Sequence, residues 1–279
     1  MSRFVFPMLL AFAAPFAPPA HAPGPERAAA RPSHPSTPRQ LMAQPAFTLP
    51  MRDLRGFVEA RRDRLAETAV AYEVSQALEE CYALSVARAR DEAIVPVSAA
   101  LRWPALAAGE ALAAPCRGFE GHRIHPGEVL ALLRYAADNG EPRARARMLL
   151  FRDVAAPKDA IVEELPALLA SLDASVVRDV GAFLSRGEIE VRLGGDEVPA
   201  SVAVLAWELA ACDLGYECGP ASRITLAQCA FVGSCGVGSY EEALDRAEPA
   251  GEMVQARRLR TGIVRALLER DWRWLGFSE

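Results

Sequence analysis

The sequence predicts an all-α protein of stacked antiparallel helical hairpins, a solenoid-like arrangement stapled by disulfides behind a disordered N-terminal leader. Apolar residues recur three and four positions apart along most of the chain, which is the period of an amphipathic helix. The chain has 6 cysteines, an even number that suits a disulfide framework. Residues 1–22 have the pattern of a signal peptide, which leads to an oxidising compartment where thiols pair.

Composition sets limits on function. The chain has 279 residues, of which 51% are hydrophobic and 24% charged, which is ordinary for a globular protein. The chain has a net charge of −5 and therefore lacks the excess of basic residues typical of nucleic-acid-binding proteins, so we expect no nucleic-acid partner. After the leader, we expect a single helical domain over residues 51–279.

The leader predicts the compartment. Arg3 supplies a positive n-region, residues 4–16 are apolar but too short to span a bilayer, and residues 20–22 form a small-x-small cleavage pattern. Export to the periplasm or the medium follows. No later segment has eighteen uninterrupted apolar residues, so we expect no transmembrane segment after cleavage.

Two features of this region leave alternatives open. Pro23 disfavours cleavage after Ala22, so a cut near Ala14 or Ala17 is an alternative. A second alternative is that residues 1–22 are not a signal peptide but a flexible leader on a cytosolic protein. Residues 23–50 are rich in Pro, Ala, Ser and Arg without hydrophobic period, which predicts a disordered linker.

Helical period, interrupted by prolines and glycines, predicts the elements in chain order. The predicted helices cover residues 51–68, about 70–93, about 105–114, 127–138, 142–153, 158–171, 174–185, 198–213, about 223–231 and 257–279. Pro126 suits a first helical position, and Asp173 suits an N-cap. The sequence "NGEP" at 139–142 predicts a turn between two helices. The alternating sequence "EIEVRLGGDE" at 188–197 is either a short β-hairpin or a loop.

A faint internal repeat relates two of these hairpins. At an offset of 32 residues, apolar positions in one hairpin align with apolar positions in the next: Leu133, Ala136, Ala144 and Phe151 with Leu165, Leu168, Val176 and Phe183. Such self-similarity is typical of helical-repeat proteins, although two unrelated amphipathic hairpins also match in part.

The sequence "LLRYAADNGEPRARARMLL" at 132–150 resembles the tetratricopeptide-like, Sel-type helical repeat. The resemblance rests on small residues, a turn glycine and a leucine, namely Ala136, Ala137, Ala144, Gly140 and Leu149. "SYEEALDRA" at 239–247 repeats part of the pattern. The family implies a scaffold for protein contacts, often in bacterial envelopes, and supplies no catalytic residues. The cysteine-bearing hairpin is similar to uncharacterised exported helical proteins of proteobacteria.

Four cysteines lie between residues 212 and 235. In each of two places a cysteine on a last helical turn is followed by a glycine and a second cysteine, which lets the loop fold back to the short Cα separation of a disulfide. We therefore predict the pairs Cys212–Cys218 and Cys229–Cys235. Elimination leaves Cys81–Cys116. Zinc binding is less favoured because the gaps of five, ten and five residues differ from those of structural zinc sites.

The sequence contains no pattern that predicts a catalytic, cofactor-binding or metal-binding residue. His122, His125 and Glu128 are close in sequence, but a glycine- and proline-flanked loop is a poor metal frame. A catalytic thiol would need a histidine partner, and nothing places His122 or His125 beside a cysteine. The chain has no GxSxG elbow and no P-loop lysine.

The C-terminal sequence is a basic amphipathic helix with aromatic residues. We expect it to cap the helical stack through Ile263, Leu267, Leu268 and its tryptophans. Binding to a membrane surface is the alternative role for this helix.

Together these features predict an exported helical-repeat protein that acts as a non-catalytic protein-interaction scaffold in the cell envelope, through the concave face of its stack and without a cofactor. A hydrolase acting on envelope polymer, with an unrecognised site, is the alternative.

Overall fold

A computed structural model of the chain describes residues 53–89, 99–151, 158–186 and 192–277. The predicted signal peptide (1–22) and linker (23–50) lie outside these residues. The described part is mostly helical, with one small β-hairpin, and it contains three disulfides, which confirms the all-α class and the disulfide bonding.

The elements follow one another in a simple order. The α-helices are α1 (Leu54–Glu59), α2 (Thr68–Ala89), α3 (Ala99–Ala113), α4 (Pro126–Asp138), α5 (Pro142–Leu149), α6 (Lys158–Leu169), α7 (Ala174–Leu184), α8 (Ala200–Asp213), α9 (Arg223–Ala227), α10 (Tyr240–Ala247) and α11 (Ala250–Glu269). The shorter elements are 3₁₀-helices at Arg62–Arg64 and Ala114–Phe119, a π-helical turn at Gln228–Val232, and strands β1 (Arg192–Leu193) and β2 (Asp196–Glu197).

The first predicted helix, 51–68, is wrong in its extent. α1 ends at Glu59, and a 3₁₀ turn separates it from α2. Leu54 and Val58 are buried in the cluster that includes Val74 of α2, so the chain turns back between the two helices. A continuous helix would carry these two side chains away from α2.

α3 is longer than predicted, because it starts at Ala99 and includes Pro104. A proline near a helix start removes a single intrahelical hydrogen bond, and the alanines that follow favour the helix. The predicted helix 142–153 is shorter, since α5 ends at Leu149. Pro126 at the start of α4 and Asp173 as the N-cap of α7 are confirmed; the Asp173 carboxylate accepts hydrogen bonds from the N–H groups of Ser175 and Val176.

Most helices pack against another helix that is close in chain order. α2 lies against α4, α5 against α7, α7 against α8, and α8 against α11. Trp207 of α8 is fully buried at the centre of the largest apolar cluster. Gly181 of α7 permits this contact, since a Cβ there would lie 2.2 Å from the Trp207 Cβ.

The sequence 188–197 contains a hairpin, one of its two predicted alternatives. β1 and β2 pair antiparallel around Gly194 and Gly195, whose φ angles of +67° and +88° suit glycine. The Gly194 N–H donates to the Trp274 carbonyl at 2.8 Å, which joins the hairpin to the C-terminal segment.

The predicted C-terminal helix at 257–279 is wrong in its bounds, since α11 runs from Ala250 to Glu269. Its inner face docks as expected, with one exception. Ile263 and Leu267 of α11 are buried in the cluster shared with α8. Leu268 is 52% exposed, so its predicted place in the interface is wrong. Adjacent residues on a helix point about 100° apart, and the burial of Leu267 turns Leu268 towards solvent. None of the described helices combines the length and the apolar character needed to cross a membrane.

Candidate functional site

The two local disulfides close the ends of helices, in the pairings predicted. Cys212 and Cys218 have Cα atoms 5.7 Å apart, on either side of a turn where Gly215 has φ +103°. Cys229 and Cys235 have Cα atoms 4.4 Å apart around Gly233, whose φ is +87°. Both glycines adopt the left-handed conformation that ends helices.

The third disulfide is long in sequence and joins two helices. Cys81 of α2 bonds to Cys116 of the 3₁₀-helix Ala114–Phe119, with Cα atoms 5.4 Å apart and a separation of 35 positions in sequence. All 6 cysteines of the chain are thereby in disulfides. None of them is a thiolate in this state, so neither thiolate metal binding nor thiol catalysis is available to it.

The histidine loop has no built site. His122 and His125 are both exposed, and His125 precedes α4 without a side-chain capping bond. Within the described ranges, no three side chains of His, Cys, Asp or Glu are grouped to hold a metal ion. The loop therefore serves as the entry to α4.

A buried ionic cluster joins three helices, and sequence reasoning missed it. Arg147 of α5 donates to both carboxylate oxygens of Glu79 of α2, at 2.6 and 3.3 Å, and to Asp179 of α7 at 3.2 Å. Glu79 is 8% exposed and Asp179 is 5% exposed. The arginine thus lies between two buried carboxylates from helices on either side of it.

Burial and charge act in opposite directions on these groups. Burial raises the pKa of Asp179 above its usual range, although Arg147 and Arg178 oppose this. Burial alone would lower the pKa of Arg147, but Glu79 and Asp179 raise it, so the guanidinium stays charged. Because each carboxylate faces a guanidinium, the cluster is internally paired and holds helices together.

A second polar group joins α7, α8 and α10. The hydroxyl of Tyr240 donates to Glu208 of α8 at 2.6 Å, and burial raises the pKa of Tyr240 well above its usual value. Arg178 lies 4.0 Å from Glu208 and stacks over the ring of Tyr216. These contacts fix α10 and the loop after α8 against α7.

The solvent side of α11 is different in character. We define its outer row as five exposed residues spaced four, three, four and three apart: Val254, Arg258, Thr261, Arg265 and Leu268. This spacing places them along one face, as in the contact seam of a helix pair. Val254 is 66% exposed and Leu268 is 52% exposed, so the row has an apolar residue at each end and two arginines between.

The other arginines of α11 are already used inside the molecule. Arg257 donates to Glu241 at 2.7 Å and also pairs with Asp245. Arg260 donates to Glu241 at 2.7 Å and pairs with Asp213. Arg258 and Arg265, by contrast, have no carboxylate partner within the described part of the chain.

The outer row is a candidate binding site. It holds two fixed positive charges about 10 Å apart, from seven residues of helical rise, with apolar ends. Guanidinium groups form paired hydrogen bonds with carboxylates. The row therefore fits an acidic helical segment with some apolar side chains.

Comparison with protein-family models, with curated proteins and with solved structures found no match to this chain.

Proposed function

We propose that the chain is an exported helical-hairpin protein of the cell envelope that binds a protein partner and catalyses no reaction. The outer row of α11 carries the proposal. It presents Arg258 and Arg265 to solvent between Val254 and Leu268, while neighbouring arginines are consumed by internal ion pairs. The partner is a segment with carboxylates about two helical turns apart.

Three disulfides support the exported location. Such bonds persist in oxidising compartments and are rare in the cytosol. The signal-peptide pattern of residues 1–22 gives the route, and the periplasm or the medium is the destination.

Corresponding positions in two hairpins support the repeat. Pro126 and Pro142 start α4 and α5, and Lys158 and Ala174 start α6 and α7. Both starts are related by the offset of 32 residues that separates Arg147 from Asp179. The aligned residues also agree in burial, since Leu133, Ala136 and Ala144 are buried like Leu165, Leu168 and Val176. Stacked hairpins of the Sel type account for this pattern.

The membrane-surface alternative needs an apolar helix face that lipid can reach. The apolar face of α11 packs on α8 instead, and two isolated apolar residues remain on its solvent side. Interfacial helices bury a continuous apolar face, so the outer row suits a protein partner better. The hydrolase alternative has less support, since the buried carboxylates Glu79 and Asp179 are held by Arg147.

Capture of partners from envelope extracts by the mature protein tests the proposal. We expect Arg258→Glu/Arg265→Glu to lose a captured protein that the unchanged protein retains. The matched control is Arg62→Glu/Arg134→Glu, which changes the net charge equally at exposed arginines elsewhere. Equal capture by all three proteins, or equal loss in both variants, contradicts the proposal. Flotation with anionic liposomes that depended on Arg258 and Arg265 would favour the membrane alternative.

A further inference from the structure

α3 presents a large apolar side chain to solvent. Trp103 is 76% exposed, although the opposite face of the same helix, with Ala105, Ala108 and Leu112, is buried against the π-helical turn. Tryptophan is enriched at protein interfaces, because its large apolar ring can be buried there while its N–H finds a hydrogen-bond partner.

The outward side of α3 carries two rows with four-residue spacing. One row is Arg102, the half-buried Leu106 and Glu110, and the other is Trp103, Ala107 and Ala111, which are all exposed. Residues four apart lie one above the other on a helix, so each row runs along the axis. The first row has opposite charges at its two ends, and the second has a large side chain at one end and small ones beyond it.

We propose that α3 forms a symmetric dimer with α3 of a second copy of this chain. In an antiparallel pair with the two-fold axis between Leu106 and Ala107, each row faces its own reversed copy. Arg102 then meets Glu110 of the second copy, and Trp103 covers Ala111 and Ala107 of the second copy. The two-fold axis repeats both contacts, as an isologous interface requires.

Charge and shape both point to a second copy as the occupant. A row with a positive residue at one end and a negative residue at the other matches a second copy of itself only when that copy runs in the opposite direction. A row with a large side chain at one end and alanines at the other also matches its copy only in the antiparallel orientation. Arg102 has no carboxylate partner within the described ranges. Glu110 is already engaged within its own chain, including a 3.4 Å contact with Arg117, but more than half of its side chain is exposed. A carboxylate has several acceptor positions, so Arg102 of a second copy adds to these contacts and does not displace them.

The size of the interface sets the expected affinity. A helix of 15 residues spans about 22 Å. One such helix pair lies below the roughly 1,200 Å² typical of stable interfaces, so the dimer forms in the range of about 10–100 μM. This inference does not depend on the partner proposed for α11.

Sedimentation equilibrium of the mature protein tests the dimer by a charge exchange between copies. We expect Arg102→Glu alone and Glu110→Arg alone to weaken self-association about tenfold each, since each places like charges opposite one another. An equimolar mixture of the two variants restores it, because every contact is then again between opposite charges. The double variant Arg102→Glu/Glu110→Arg also restores it.

Controls separate association from folding. Trp103→Ala removes the dimer in every charge background, and circular dichroism verifies that each variant retains its helices. Arg134→Glu, on α4, leaves association unchanged. A monomer up to about 1 mM, or single variants whose mixture stays monomeric, overturns the proposal. A Trp103-dependent complex with a different protein, without self-association, also overturns it.

Discussion

The guanidinium of Arg147 lies 3.2 Å from the carboxylate of Asp179, and the two residues are 32 positions apart in sequence. Each occupies the second helix of its hairpin, and the same offset relates the starts of those helices. Corresponding positions of two consecutive hairpins are thus joined by an ion pair. Glu79 completes the cluster from α2, so a single arginine holds three helices.

Replacing Arg147 by methionine should be strongly destabilising. It leaves the carboxylates of Glu79 and Asp179 buried without their cation, and such losses cost about 3–5 kcal/mol. Urea unfolding followed by circular dichroism measures the free energy of unfolding. The control is Arg145→Met on the same helix, whose 3.3 Å pair with Glu164 is partly exposed and is worth about 0–1 kcal/mol. Equal losses for both variants would show that the cluster adds nothing special.

Removing disulfides should have unequal effects. The Cys81–Cys116 bond spans 35 residues, while Cys212–Cys218 spans 6. Because the entropy removed from the unfolded chain rises with loop length, the first contributes about 4 kcal/mol and the second about 2 kcal/mol. Paired cysteine-to-alanine variants, unfolded in urea without reductant, test this order. A larger loss for the short loop would contradict it.

Adding one methyl group at Gly181 should disturb the central core. The new Cβ would lie 2.2 Å from the Cβ of Trp207, so α7 and α8 must separate, at about 1–3 kcal/mol. The measurement is the unfolding midpoint together with the emission of the buried tryptophan. Gly127→Ala is the control, since nothing lies within 4 Å of its Cβ position. That variant should be neutral or slightly stabilised, and a loss there matching that of Gly181→Ala would reject the steric explanation.

The packing of α11 against α10 should become less stable at acid pH, because Glu241 then loses its negative charge. Burial alone would raise the pKa of Glu241, but hydrogen bonds from Arg257 and Arg260 lower it below the ordinary 4.5. A carboxyl with a lowered folded pKa stabilises the protein above its unfolded value, and this contribution is lost as the pH falls through the folded value.

We therefore expect Glu241→Gln to reduce the free energy of unfolding by about 1 kcal/mol near neutral pH and to have little effect at about pH 3. The comparison is made by urea unfolding at both values. Glu217→Gln, at an exposed position, is the control and should have no effect at either. A difference that persists unchanged at low pH would exclude the ionised carboxylate as the cause.

Apart from the Cys81–Cys116 bond, which followed by elimination once the other two pairs were assigned, the features predicted well from the sequence are local ones. The Cys212–Cys218 and Cys229–Cys235 bonds each close one helix end, so a cysteine, a turn glycine and a second cysteine were sufficient to predict them. The cap at Asp173 and the helix starts at Pro126 and Pro142 depend likewise on neighbouring residues. Chain stiffness limits the conformations of such short segments, so their structure can be predicted from neighbouring residues.

The candidate binding face needed the tertiary structure. Sequence period identified an amphipathic C-terminal helix but assigned Leu268 to the buried side, because Leu267 and Leu268 are equally apolar. Packing on α8 decides which of the two is covered. The arginines of α11 are equally alike in sequence, and the positions of Glu241, Asp245 and Asp213 decide which ones remain for a partner.

The sequence by itself determined the helical class and the pairing of cysteines six residues apart, since both depend on composition or on contacts a few residues long. Tertiary structure alone decided that Glu79, Arg147 and Asp179 meet in the interior, and that Trp103 and the α11 outer row face solvent. The physical reason is that a charged side chain can be buried only when a group of opposite charge lies beside it. For Arg147 these groups are Glu79 and Asp179, which lie 68 and 32 residues away along the chain. Nothing in the local pattern of one helix records which distant helix will supply them.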